Sequence, residues 1–163
     1  KLAILDYNRL VKNINGWTAE DLFSQLQDDF FITLGPEPVK PTQPHEFGMY
    51  LDKQWYILGS RKGTYTNDPI GVLDVTILSN NILDKLLDIK DQRTDKRVDF
   101  VGGIRGLKEL EKIVDSGEMK VAFSLYPVTI EQLFNIADSG NVMPPKSTWF
   151  EPKLRDGLLT HLI

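Results

Sequence analysis

Cysteine is absent from this sequence of 163 residues, and histidine occurs only as His45 and His161. The missing thiols exclude disulfides, thiolate nucleophiles and zinc–thiolate sites. They also fit a reducing compartment, so we expect a cytoplasmic protein. Two histidines this far apart in the sequence argue against a multi-histidine metal site or a Ser–His triad. We therefore predict no metal site.

Basic residues and long apolar runs are scarce as well. Lys and Arg number 19 against 23 Asp and Glu, which gives a net charge of −4, whereas nucleic-acid binders usually carry a basic excess. No apolar run approaches the roughly 18 residues that a membrane span needs, and no signal-like segment opens the chain. We expect neither a nucleic acid nor a membrane as a partner.

The composition that is present is typical of one globular domain. Hydrophobic residues make up 41% and charged residues 26%, which suits a single domain over 1–163 with its own core. The start at 2–5 is apolar and the end at 161–163 has no polar tail, whereas natural termini are usually polar. We predict that the domain is the C-terminal fragment of a longer protein, with the upstream domain of the same chain as a partner.

Hydrophobic periodicity predicts an α+β fold. Apolar and branched runs predict strands at 2–5, 30–34, 46–51, 54–58, 98–101, 120–125 and 157–163. Amphipathic spacing predicts helices at 18–27, 74–87, 107–114 and 130–137. The strands on either side of Asp52 and Lys53 are expected to form a hairpin.

The last third of the chain repeats one pattern. A strand and a helix end in Asp-Ser-Gly at 115–117, and a second strand and helix end in the same tripeptide at 138–140. Thr129 and Gln132 have the spacing of a capping box, and each glycine is expected as a left-handed helix end. A strand–helix–strand crossover usually joins parallel neighbours. We therefore predict a mixed β-sheet in two layers, with helices mainly on one face and a C-terminal β-α-β-α-β unit.

Gly102 and Gly103, between a strand and a helix, have two interpretations. A helix N-terminus presents free N–H groups that can bind phosphate, but no third glycine at dinucleotide spacing and no P-loop Gly-Lys-Ser/Thr follows. The other interpretation is a simple tight turn. Gly102 and Gly103 are therefore weak phosphate-binding candidates.

Four prolines, at 36, 38, 41 and 44, make 35–44 a non-helical excursion. This proline loop is predicted to be a lid or a partner contact, or else a plain connector. His45, at its end, is expected at the edge of the hairpin rather than in a metal site.

The stretch Met143–Lys153 concentrates polar chemistry on a stiff loop. Two prolines stop the preceding helix and display Lys146, Ser147 and Thr148. An ammonium group with two hydroxyls can hold a small carboxylate or phosphate. Alternatively, the hydroxyls satisfy a turn and the ammonium is only solvated.

Asn8 and Arg9 follow the first predicted strand. One interpretation makes them turn and surface residues, which is the common fate of charged loop positions. The other makes them ligand contacts, because an arginine presents a rigid fork to carboxylate or phosphate.

Several phrases of the sequence occur together. They are Leu-Asp-Tyr-Asn-Arg at 5–9, Gly-Met-Tyr-Leu at 48–51 with Trp-Tyr at 55–56, Phe-Val-Gly-Gly at 100–103, Val-Ala-Phe at 121–123 and Met-Pro-Pro-Lys-Ser-Thr-Trp-Phe at 143–150. Over essentially the whole chain they resemble the C-terminal half of a bacterial family, domain-of-unknown-function family 1015. Full-length members are similar to ParB/sulfiredoxin-like proteins and carry an upstream Asp-Gly-His-His-Arg nucleotide motif, which this sequence lacks.

The resemblance implies kinase-like chemistry. Free-serine kinases of the same superfamily end in a similar loop, Pro-Lys-Thr-Thr, whose Lys and Thr contact phosphoserine. Carried over to the Pro-Lys-Ser-Thr of this sequence, Lys146 would neutralise a substrate anion, and Ser147 and Thr148 would donate hydrogen bonds. The nucleotide, ATP or ADP with Mg, and the catalytic carboxylate would belong to the upstream part of the full-length protein. This chain is therefore expected to hold no cofactor, and its sequence names no catalytic residue.

Two functions follow as alternatives. In the first, the chain is the substrate-binding half of a small-molecule phosphotransferase for a serine-like amino acid, with Asn8 and Arg9 in the same cleft as 146–148. In the second, it is a non-enzymatic structural or interaction domain, and the proline loop and the aromatic pair at 149–150 form a docking surface. Convergence of the polar residues on one pocket would favour the first function.

Overall fold

The computed structural model describes residues 2–5, 7–141 and 149–152, and the structural statements below concern these residues. The strands are β1 Leu2–Leu5, β2 Tyr7–Val11, β3 Phe30–Gly35, β4 Glu46–Leu51, β5 Gln54–Ser60, β6 Val98–Gly102, β7 Val121–Leu125 and β8 Trp149–Pro152. The α-helices are α1 Ala19–Leu26, α2 Asp74–Leu78, α3 Leu107–Asp115 and α4 Ile130–Ser139. The α+β class predicted from periodicity is confirmed.

Six of the strands form one open sheet in the order β3-β5-β4-β7-β2-β6, and β1 and β8 pair separately. All of these pairs are antiparallel, so the prediction of a mixed sheet is corrected. Strands β6 and β7 do point the same way, as the crossover pattern requires, but β2 lies between them. The sequence missed β2 because Leu10 and Val11 are both fully buried, and a strand covered on both faces shows no alternation.

Helices cover the sheet mainly on one face, as predicted. Helices α1, α2 and α4 share a core with sheet residues that include Val11, Met49 and Phe123. Helix α3 packs on the opposite face against Leu10 and Tyr50, which adds a third layer where two were predicted. The reason is that both faces of the central strands are apolar, so each face requires a cover.

The local signals at turns and helix ends are confirmed. Thr129 and Gln132 form both hydrogen bonds of the capping box at α4, and Gly140 ends that helix with φ 78°. Asp52 and Lys53 have φ values of 51° and 64°, which is the two-residue turn that suits a tight antiparallel hairpin. Strands β4 and β5 are the hairpin predicted around them.

The helix predicted at 74–87 is interrupted. Helix α2 ends at Leu78 and continues as the π-helical segment Ser79–Asp84. The Ser79 hydroxyl donates to the carbonyl of Val75 at 2.7 Å, and a side-chain hydrogen bond of this kind often bends a helix. Ile82 is nevertheless fully buried, so the apolar pattern predicted the burial correctly although not the helix type.

Two predictions near the C-terminus fall outside the described residues. They are the strand at 157–163 and the loop residues Lys146, Ser147 and Thr148. Strand β8, which the sequence did not predict, follows that loop, and its first residue, Trp149, pairs with Leu5 of β1.

Candidate functional site

Asn8 and Arg9 are neighbours on β2, and their side chains line two different cavities. Asn8 lines a cavity of about 150 Å³ on the α3 side of the sheet, whereas Arg9 lines one of about 510 Å³. Asn8 is 2% exposed and Arg9 is 1% exposed. The interpretation that made them turn and surface residues is therefore wrong, because they belong to a buried central strand.

The smaller of these two spaces, the Asn8 cavity, lies between β2, the proline loop and the start of α3. Its walls include Asn8, Lys40 of the proline loop, Gly103, Gly106 and Leu107. The structure thus brings together two residues that the sequence had selected separately, Asn8 and Gly103. Gly102, the other glycine of the pair, ends β6 and pairs with Tyr7.

The Asn8 side chain continues the sheet where backbone pairing stops. The β2–β7 ladder begins at Arg9 opposite Phe123, and beyond it the Oδ1 atom of Asn8 accepts a hydrogen bond from the backbone N–H of Leu125 at 3.2 Å. Among the described residues, the Nδ2 atom of Asn8 has no hydrogen-bond partner. A buried amide therefore keeps its donor uncommitted beside a cavity.

Helix α3 begins at the same cavity. A short 3₁₀ turn, Gly103–Arg105, follows β6, and Gly106 is the N-cap with φ 83° and no capping side chain. Only glycine adopts that backbone conformation without strain. The first N–H groups of a helix have no partner within the helix, and the N-cap residue of α3 has no side chain to supply one.

The proline loop is a fixed wall of the Asn8 cavity. Its Val39 is buried in the α3-side core, and the Val39 carbonyl accepts a hydrogen bond from the Ser124 hydroxyl at 2.7 Å. Gly48 makes this approach possible, since a Cβ there would lie 2.7 Å from that carbonyl oxygen. The loop thereby brings Lys40 to the cavity. The sequence analysis missed Lys40, whose one signal is that it is the sole cation among residues 35–44.

Arg9 connects three parts of the fold on the opposite face of β2. Its Nε donates to Oε1 of Gln92 at 3.2 Å, and its Nη1 donates to the carbonyl of Tyr7 at 2.6 Å. The guanidinium carbon lies 4.9 Å from the centre of the Phe100 ring on β6. These contacts join β2, β6 and the segment that follows the π-helical turn.

The larger space, the Arg9 cavity, is also lined by Lys90, Asp91 and Arg93, and each of these charged residues belongs to an ion pair. Lys90 contacts the carboxylates of Asp84 and Asp88, and Arg93 contacts Asp91 at 3.3 Å. The hydrogen bond from Arg93 lowers the pKa of Asp91, and the hydrogen bond to Asp84 raises the pKa of Lys90. The rim is therefore a set of solvated ion pairs.

His45 takes part in a structural cluster. One ring nitrogen, Nε2, lies 2.9 Å from the carbonyl of Val72, and Nδ1 lies 3.0 Å from the Tyr65 hydroxyl. Its backbone N–H donates to Asp74 at 2.8 Å. No group of three metal-ligating side chains occurs within the described part of the chain.

A family model matches residues 1–76, and its description is "Protein of unknown function (DUF1015)". The resemblance drawn from the sequence is confirmed over that stretch, which includes the phrases at 5–9, 48–51 and 55–56. The phrases at 100–103, 121–123 and 143–150 lie outside the matched residues. No curated protein matches the chain.

Several solved structures share the fold. A free serine kinase variant in complex with AMP has a TM-score of 0.55 at 13% identity, over 92% of this chain and 54% of that chain. The same variant in complex with ADP gives 0.51 at 16% identity with the same coverage. A conserved hypothetical protein from Pyrococcus furiosus gives 0.56 at 15% identity, over 94% of this chain and 57% of that chain. This chain therefore spans about half the length of the structures it resembles.

No helix in the described part of the chain has both the length and the apolar character of a membrane span.

Of the described residues that line the Asn8 cavity, Asn8, Lys40 and Pro41 lie within 1–76, and the others come later in the chain. Over residues 1–76 the chain is similar to the family of unknown function DUF1015, and over most of its length it shares its fold with a free serine kinase.

Proposed function

We propose that this chain is the substrate-side half of a small-molecule phosphotransferase that acts on a serine-like amino acid. The observation that carries the proposal is the fold shared with a free serine kinase over 92% of this chain. That kinase was solved with AMP and with ADP, which supports ATP or ADP with Mg as the phosphoryl donor. The donor would be held by an upstream domain of the full-length protein, and this chain would be the C-terminal domain.

The substrate roles follow from side-chain chemistry. Lys146 neutralises the anionic group of the substrate, and Ser147 and Thr148 donate hydrogen bonds to it. Trp149, which follows Thr148 in the sequence, pairs with Leu5, three residues before Asn8. This pairing supports a site that includes Asn8. The predicted contact of Arg9 with the substrate is not part of this proposal, because the Arg9 guanidinium donates to Gln92 and to the Tyr7 carbonyl on the other face of β2.

The compartment proposed for this reaction is the cytoplasm. The support is the absence of cysteine from all 163 residues, which fits a reducing environment.

The direct test is a phosphoryl-transfer assay with the full-length protein. The protein is mixed with Mg, L-serine and either ATP or ADP, and O-phosphoserine is followed by ³¹P NMR. We expect phosphoserine with one of the two nucleotides. Lys146→Ala should lower kcat/KM roughly tenfold to hundredfold, the usual cost of a lost charged hydrogen bond.

The matched control for that variant is Lys62→Ala, since Lys62 is an exposed lysine in the turn after β5. It should keep wild-type activity. No phosphoserine with either nucleotide, or equal activity of Lys146→Ala and Lys62→Ala, would reject the proposed function.

A second candidate function is a non-enzymatic domain that docks onto the upstream domain. The observation that favours it is on α4, where Ile130 is 53% exposed and Phe134 is 64% exposed. Residues four apart lie on one helix face, so the two side chains form one apolar patch. Phe134→Ser should destabilise the full-length protein by about 1–2 kcal/mol and leave the 163-residue chain unchanged. Equal effects in both would reject docking at α4.

A further inference from the structure

We infer that the Asn8 cavity binds a small oxyanion, a phosphate or a carboxylate group. The cavity has a volume of about 150 Å³, which is small enough to suit a single oxyanion with few further atoms. This inference stands whether or not the chain takes part in phosphoryl transfer, because it rests on the cavity alone.

The first supporting feature is the N-terminus of α3. The helix has nine residues, and Gly106 provides no capping side chain. Leu107, its first residue, lines the cavity. Free N–H groups and the positive end of the helix dipole together attract anions. Glu109 in the first turn is engaged with Arg105 at 2.9 Å and is not part of the cavity wall.

The second feature is Asn8, and it is independent of the helix. The residue is 2% exposed, and its Oδ1 is committed to the N–H of Leu125. The Nδ2 donor has no partner among the described residues. Nδ2 is not one of the unpartnered side-chain atoms that are sealed from solvent, so it opens onto the cavity that Asn8 lines. Because polar groups of buried side chains are nearly always hydrogen-bonded, this donor points to a ligand acceptor.

The third feature is charge. Among the described residues that line the cavity, Lys40 is the one charged side chain. Donors from three separate segments therefore surround the same space: the proline loop, β2 and the start of α3. Such a set favours an oxygen-rich anion.

The test is a titration of the ¹⁵N-labelled protein with inorganic phosphate, and separately with L-serine, at constant ionic strength held with chloride. We expect saturable shifts of the Leu107 and Lys108 amide signals and of the Asn8 side-chain NH₂. Saturation with phosphate alone assigns the cavity to phosphate groups, and saturation with L-serine alone assigns it to carboxylates. No saturable shift with either probe would overturn the inference.

Two variants locate the binding. Lys40→Ala should weaken it about threefold to tenfold, whereas Lys62→Ala, at another exposed lysine, should leave it unchanged. Asn8→Asp keeps an acceptor for the Leu125 N–H but replaces the donor by a negative charge, so it should weaken binding by at least about tenfold. If Asn8→Asp does not fold, the wild-type signal shifts and the comparison of Lys40→Ala with Lys62→Ala still test whether the cavity binds the anion. Equal affinities of Lys40→Ala and Lys62→Ala would contradict the proposed site.

Discussion

The two faces of β2 use buried polar residues in opposite ways. On one face, Arg9 binds Gln92, the Tyr7 carbonyl and the Phe100 ring. On the other face, the Oδ1 atom of Asn8 accepts a hydrogen bond from the Leu125 N–H, and its Nδ2 has no partner among the described residues. Arg9 is thus engaged by its own fold, whereas Asn8 keeps one donor available.

This difference changes how the pair is interpreted. Arginine is the residue that chemistry alone would choose as the anion binder, because of its charge and rigid fork. In this fold, however, the Arg9 guanidinium joins β2 and β6 to the segment that contains Gln92. The neutral amide next to it, beside an uncapped helix, has the geometry of a ligand contact. Whether the donors of a side chain already have partners is therefore a better guide to ligand binding than the residue type.

The largest expected effect comes from Arg9→Met. The substitution leaves Oε1 of Gln92 and the Tyr7 carbonyl without their buried donor, so we expect a loss of about 2–4 kcal/mol in the free energy of unfolding. Urea denaturation followed by circular dichroism measures it. Arg93→Met, at a side chain that is 67% exposed, is the control and should cost less than about 0.5 kcal/mol. Similar losses in both variants would show that Arg9 is not a structural connection.

A smaller effect is expected at the wall of the Asn8 cavity. In Gly48→Ala the new Cβ would lie 2.2 Å from the Ser124 hydroxyl and 2.7 Å from the Val39 carbonyl, so the proline loop must move. The cost should be about 1–3 kcal/mol, with weaker phosphate binding because Lys40 moves too. Gly59→Ala is the matched control, since a Cβ there meets nothing within 4 Å. The same stability for both variants would mean that the loop is not held against the sheet.

The smallest effect concerns the attachment of α3. The Tyr50 hydroxyl donates to Asp115 at 2.8 Å, and the Trp55 indole donates to Glu111 at 2.6 Å. Tyr50→Phe removes one of these connections and should cost about 1 kcal/mol. An unchanged urea midpoint would show that the hydrogen bond contributes nothing to holding α3.

The same tyrosine gives a pH dependence. Burial, together with the hydrogen bond to Asp115, raises the pKa of Tyr50 from 10.0 to about 12. The folded state thus keeps this proton when the unfolded state has lost it. The stabilisation is complete below pH 10 and disappears as the pH rises from 10 to about 12. The difference in unfolding free energy between wild type and Tyr50→Phe should shrink over that interval, and a constant difference would contradict the shift.

Local signals predicted much of the fold. The capping box at Thr129, the left-handed Gly140 and the hairpin turn at Asp52 and Lys53 each depend on a few consecutive residues, and all were readable in the sequence. Strand β2 was not readable, because its neighbours in the sheet are distant in sequence and both of its faces are buried. The antiparallel order and the third layer follow from β2, so they were missed with it.

The sequence predicted single residues of the candidate site but not that they lie together. Asn8 and Gly103 were selected from the sequence for unrelated reasons, and no pattern indicated that they share a cavity. Lys40 was passed over because the proline loop gives no sign of where it packs. The opposite orientation of Asn8 and Arg9 follows from strand geometry, which became applicable only once 7–11 was known to be a strand.

The most direct test compares both faces of β2 in one experiment. In a ¹H–¹⁵N spectrum of the wild-type protein, the side-chain signals of Asn8 and Gln92 and the Nε–H signal of Arg9 can be followed during addition of phosphate. The account predicts a saturable shift of the Asn8 NH₂ and the Leu107 amide, with the Gln92 and Arg9 signals unmoved. Saturable movement of the Arg9 and Gln92 signals with a stationary Asn8 would contradict it.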